Sequence, residues 1–207
     1  MARPNRVQPD GRLDVVPLRG QFMGNRGCLH DGQGVITRRF QTRRWITCTL
    51  RQKPARGKVA LGQPERYTPL FFADEAVACA AGHRPCAECR KAVYRDFGAA
   101  WGRAFGEVPK ATGVDTVLHA ARLDARNNQR RFAAAAGDLP DGVFIDWQDR
   151  PHLIRQGVAI PHDGAVYGKP VPIPAGEVQV MTPAPLVAVM RAGWQPAMKA
   201  MQDRPGW

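Results

Sequence analysis

The stretch Phe71-Phe72-Ala73-Asp74-Glu75-Ala76-Val77-Ala78-Cys79-Ala80-Ala81-Gly82-His83-Arg84-Pro85-Cys86-Ala87-Glu88-Cys89-Arg90 organises everything around it. Two acids followed by an alanine-rich run predict a short helix, because carboxylates suit the positive first turn and alanine costs no side-chain entropy. Gly82 is placed as its stop. A second helix is expected to open at Pro85, which suits a first helical position, and to run through Val93, Tyr94, Phe97 and Trp101 toward Phe105 at core-like spacing. At the start of that helix Cys86 and Cys89 stand three residues apart, where the helix dipole favours thiolate and both sulfurs can converge on one ion. Zinc in a tetrahedral site is the chemistry this pairing suits. A redox dithiol would want a βαβ setting that the stretch does not show, and two packing thiols is the plain alternative.

Upstream, Val35 to Arg39 and Arg44 to Leu50 are β-rich runs and predict an antiparallel hairpin. That pairing would bring Cys28 and Cys48 to one end of the sheet. The remaining metal ligands are therefore sought among Cys28, Cys48, His30 and His83. Cys28-Leu29-His30 offers two ligand types within three residues, whereas Cys48 shares its strand face with Ile46 and Leu50, as a core thiol would. His83, beside Gly82, suits a backbone carbonyl better than a metal, and Cys79 suits packing. His30 stands as the alternative to Cys48.

The order of residues from Phe71 to Arg90 resembles the metal-binding domain of the Ada DNA-repair protein family: paired aromatics, Glu-Ala, Ala-Gly, then Arg-Pro-Cys-x-x-Cys-Arg. The resemblance spans about twenty of 207 residues. It implies zinc held by four cysteines, here Cys28, Cys48, Cys86 and Cys89, and a cysteine that accepts a methyl group from a DNA phosphotriester. The family's first ligand pair is Cys-x-x-x-Cys, whereas Cys28 and Cys48 are twenty residues apart.

Charge points to a polyanionic partner. The chain carries a formal net charge of +12, and between Arg26 and Arg66 ten Lys or Arg face two acids. Such a concentrated field attracts phosphates through counterion release and needs no base contacts. The expected nucleic-acid surface, on DNA in the first instance, is Arg38, Arg39, Arg43, Arg44, Arg51, Lys53, Arg56 and Lys58, with Trp45 projecting from the hairpin to stack a base. An arginine-rich surface serving only solubility is the competing reading.

Downstream, Gly113 to Asn128 predicts a third helix on which Asp115, His119 and Arg122 fall at i, i+4 and i+7. An acid, an imidazole and a guanidinium on one ridge could serve phosphoryl chemistry, and a solvated face with a helix salt bridge is the commoner outcome. Val143 to Trp147 and short pieces within Ala165 to Val180 predict strands, and Thr182-Pro183 opens a last helix stopped by Gly193. The whole reads as an α+β protein: an irregular arm over 1–25, a zinc-stabilised module of basic hairpin and helices over 26–110, and a C-terminal region over 111–207. Five unevenly spaced cysteines suit reduced thiols in a cytoplasm, and neither a signal segment nor a membrane span is visible. Three classes of function remain. The first is a zinc protein that binds DNA without turnover, with a role in repair. The second is an enzyme using a cysteine alkyl acceptor or the Asp115 ridge on phosphate, and the third a protein-interaction module.

Overall fold

The computed structural model describes residues 4–50, 66–108 and 110–198, and the chain is an α+β protein. Its described elements are β1 (Arg6–Val7), β2 (Leu13–Asp14), β3 (Phe22–Asn25), β4 (Ile46–Cys48), β5 (Leu70–Phe72), α1 (Glu75–Ala80), β6 (Arg84–Pro85), α2 (Lys91–Phe105) and α3 (Ala111–Arg122). Then come β7 (Phe132–Ala135), β8 (Phe144–Trp147), β9 (Arg150–Arg155), β10 (Val158–Pro161), β11 (Val171–Pro172), β12 (Glu177–Val180) and α4 (Ala184–Arg191). The first sheet has the order β2-β1-β5-β3-β4-β6, and the second β11-β10-β9-β8-β12-β7.

Three features depart from the sequence expectation. The Pro- and Gly-rich arm contributes β1 to β3, because its short apolar pieces pair with β5 and β4. The hairpin of Val35–Arg39 with Arg44–Leu50 does not form. Only His30 and Ile36 make an isolated bridge, and β4 pairs instead with β3, Met23 opposite Cys48 and Asn25 opposite Ile46. Glycine makes that pairing possible: a Cβ on Gly24 would collide with the Phe72 ring, so the β3 backbone must pass directly over that ring. Finally, Pro85 is in a strand and not a helix. Parallel pairing of Ile46 with Arg84 and Thr47 with Pro85 draws this segment onto the sheet edge, and α2 starts only at Lys91.

Strands β8, β9 and β10 of the second sheet are buried on both faces, which alternation along them makes visible. Phe144, Leu153 and Ile160 join the N-terminal core with Leu70, Phe72 and the alanines of α1. Their neighbours Ile145, Ile154 and Ala159 face the opposite way, into a core shared with Phe97 and Trp101 of α2, Val114 and Leu118 of α3, and Leu186 and Val189 of α4. Helix α1 is fully buried; the Asp74 carboxylate caps its start, accepting from the Val77 amide at 3.0 Å, and Gly82, the expected stop, takes φ +83° just beyond its end. Helix α3 is shorter than its pattern suggests, ending where Leu123 turns extended and bridges Gln129.

Candidate metal centre and basic surface

Cys48, Cys86 and Cys89 come together at the edge of the first sheet, their sulfurs within 4.8 Å of one another. The register explains the meeting. Thr47 pairs with Pro85, and the Cys86 amide donates to the Thr47 carbonyl at 3.0 Å, so the next residues along the chain, Cys48 and Cys86, lie side by side. A tight turn closed by the Arg90 amide on the Cys86 carbonyl at 3.1 Å then swings Cys89 back to them. Sulfurs sharing one zinc ion at about 2.3 Å each stand about 3.8 Å apart, so the group is of the right size.

The electrostatics favour a cation there. Hydrogen bonds from Cys48 and Cys89, and from the backbone amides of Cys89 and Glu88, hold the Cys86 thiol well below its ordinary range. Cys48 is pushed far above it, chiefly by its hydrogen bonds to Cys86 and Cys89. Three thiols so close can carry one negative charge comfortably, and only a bound cation lets all three ionise. All five cysteines are free of disulfides.

Two buried ion pairs fix the cysteine turn from both sides. Before it, Arg84 donates to both Asp115 oxygens at 2.9 and 2.8 Å. After it, Arg90 makes a bidentate pair with Glu75 of α1, its guanidinium lying 4.7 Å from the Phe22 ring centroid. Sequence reasoning misses both pairs, although both arginines flank the Cys-x-x-Cys motif, and that adjacency is the signal that could have found them.

Cys28 is not brought to this group. Because Asn25 pairs with Ile46, the chain beyond β3 runs away from Cys48, and Cys28 lies beside Gln41, its thiol toward the His30 carbonyl at 3.4 Å. The expectation that Cys28 and Cys48 share one end of a hairpin is therefore corrected. His30 is held in that same region, its Nδ1 2.6 Å from Thr68 Oγ1. Cys79 is buried in the core, as its alanine-rich surroundings imply. His83 is also buried and engaged at both nitrogens: Nδ1 donates to the Ala78 carbonyl at 3.2 Å and Nε2 accepts from Arg26 Nε at 3.1 Å.

No protein-family profile, no curated protein and no solved structure matches the chain. Its chemistry has to be read from its own residues.

The helical ridge of Asp115, His119 and Arg122 is not a solvent-facing site. Asp115 is consumed by Arg84, and Arg122 is buried, donating to the carbonyls of Gly82 (2.7 Å) and Arg43 and lying 3.1 Å from His119 Nδ1. The helix face that carries them packs inward because β6 and Gly82 lie against it. A Cβ on Gly82 would sit 2.6 Å from Arg122 Cδ. Trp45 is likewise corrected: it is 3% exposed, its indole N–H donates to Thr42 O at 3.0 Å, and the guanidiniums of Arg26 and Arg122 lie 4.1 and 4.2 Å from its ring. Its π-surface is occupied by the protein's own cations, so no base stacks on it.

Arg38, Arg39, Arg43 and Arg44 are exposed on the loop preceding β4. Arg39 donates to the Asn127 carbonyl, which ties that loop to the 124–130 turn and brings exposed Arg126 and Arg130 to the same side of the molecule. Arg51, Lys53, Arg56 and Lys58 lie outside the described residues. Among the described residues no helix is long and apolar enough to cross a membrane.

Proposed function

We propose that this chain is a zinc protein that binds nucleic acid, DNA in the first instance, through the exposed arginines of the loop before β4. The observation that carries the reading is the convergence of Cys48, Cys86 and Cys89 from two paired strand ends and a turn. The metal would clamp β4 to β6, and β4 continues directly from the arginine loop, so the ion steadies the frame on which Arg38, Arg39, Arg43 and Arg44 stand. The resemblance of residues 71–90 to the Ada metal-binding domain supports the same reading, and free thiols suit a reducing cytoplasm. A role in DNA repair follows from that resemblance.

The residues fit the ion in kind and spacing. Cys48, Cys86 and Cys89 would hold it, and bound zinc supplies either a fixed cross-link or a Lewis-acid centre. The protein's own contribution is the buried pairs Arg84–Asp115 and Arg90–Glu75, which keep the turn in place before the ion arrives.

The test is elemental analysis of the purified protein and of single Cys→Ser variants, followed by duplex binding across a salt series. One zinc per chain is expected, lost in Cys48→Ser, Cys86→Ser and Cys89→Ser and kept in Cys28→Ser and His30→Ala. Replacing Arg38, Arg39, Arg43 and Arg44 together by Gln should flatten the log K against log salt slope by about 0.9 for each phosphate no longer neutralised. A protein without stoichiometric metal overturns the zinc reading, and an unchanged salt slope overturns the assigned surface.

A further inference from the structure

Every cysteine and histidine of the chain lies among the described residues, since 1–3, 51–65, 109 and 199–207 contain neither. Their positions can therefore be followed one by one. Three sulfurs converge, and the other candidates are committed elsewhere. Cys28 sits five residues beyond Met23, the partner of Cys48, on a chain that runs away from Cys48 and bends at Gly27. Its thiol and His30 serve the far end of the sheet. Cys79 is enclosed in the core, and both nitrogens of His83 are engaged. His119 rests on Arg122 and Phe40, His152 on the Arg150 carbonyl, and His162 against Phe144 and Tyr167 of the second sheet region.

The three sulfurs are not enclosed equally. Cys86 is buried while Cys48 and Cys89 are each partly exposed. Zinc in a closed structural site takes four protein ligands, whereas three protein ligands with an accessible fourth position are the arrangement of reactive sites. Three thiolates also make the ligand field soft, which a further thiolate suits.

We propose that the metal held by Cys48, Cys86 and Cys89 takes its fourth ligand from outside the cysteines and histidines of the chain, an oxygen donor at rest that a small thiol displaces. The inference rests on the zinc reading above, and it departs from the four-cysteine site that the Ada resemblance implies. The centre is then an exchangeable one, able to hold a thiol at a partly exposed edge, and not a sealed cross-link. Exchange is balanced: the thiol binds as thiolate, its proton passes to solvent, and the oxygen donor leaves the metal, with no change of oxidation state.

The experiment uses the full chain, purified without added thiol. Zinc X-ray absorption should give three sulfur neighbours at about 2.3 Å and one oxygen or nitrogen at about 2.0 Å. The cobalt-substituted protein should change its visible spectrum on titration with 2-mercaptoethanol, saturably, toward four sulfurs. Cys28→Ser should leave the resting spectrum as it is. Four sulfurs in the resting protein, a resting spectrum altered by that substitution, or indifference to the thiol overturns the proposal while leaving the zinc reading intact. Failure to bind zinc or cobalt overturns both.

Discussion

At His83 the surrounding residues decide the protonation state. The ring is fully buried, and burial first, then the charges of Arg26 and Arg122, push its pKa well below the usual value. Accepting from Arg26 through Nε2 requires the neutral ring with its proton on Nδ1. The unfolded chain, with an ordinary histidine near pH 6.5, takes up a proton that the folded chain refuses, so stability held above that pH is lost as pH falls below it. The loss approaches about 1.4 kcal/mol per pH unit for the one proton. Urea midpoints at pH 7.5, 6.0 and 5.0 should therefore fall more steeply for the native chain than for His83→Gln; parallel profiles would refute the assignment. Arg26 and Arg122 share this enclosure. Burial pushes each down to about 9, Arg26 further burdened by the Arg122 charge, and both rest on Trp45 in place of a carboxylate.

Among elements, the junction that matters most is β6 with α3 and α1. Arg84 and Asp115 are both buried, so removing the carboxylate leaves an uncompensated charge. Asp115→Ala should cost about 3–5 kcal/mol in chemical denaturation, whereas Arg84→Met combined with Asp115→Leu should cost far less, because both charges then leave together. Equal losses in the two would show that packing and not charge pairing governs the joint. The β3–β5 crossing has a steric counterpart. Gly24→Ala drives a methyl group into the Phe72 ring and should destabilise by about 1–3 kcal/mol, measurable as a lowered urea midpoint.

For the whole molecule, the candidate centre lies at one edge of the N-terminal sheet, while strands β8 to β10 of the second sheet lie between two cores. Chelation should therefore loosen the structure locally. Hydrogen exchange in the presence of a chelator should rise at residues 46–48 and 84–90 and stay slow at 144–160. Uniform acceleration would mean that the ion holds the entire fold, as in domains that are unfolded without metal.

How much of this was legible follows from the range of each interaction. The sequence by itself determined what depends on near neighbours: the α+β class, the short α1 with Gly82 at its end, the core face of α2, the closing helix α4 and the Cys86–Cys89 pair. The tertiary structure alone decided which distant residues meet. Strand partners are set by burial and register over the whole sheet, so β4 paired with β3 and β6 in place of the nearer Val35–Arg39 segment. That choice sent Cys28 away, brought Cys48 to Cys86, and turned Trp45, Asp115 and Arg122 from surface candidates into interior supports.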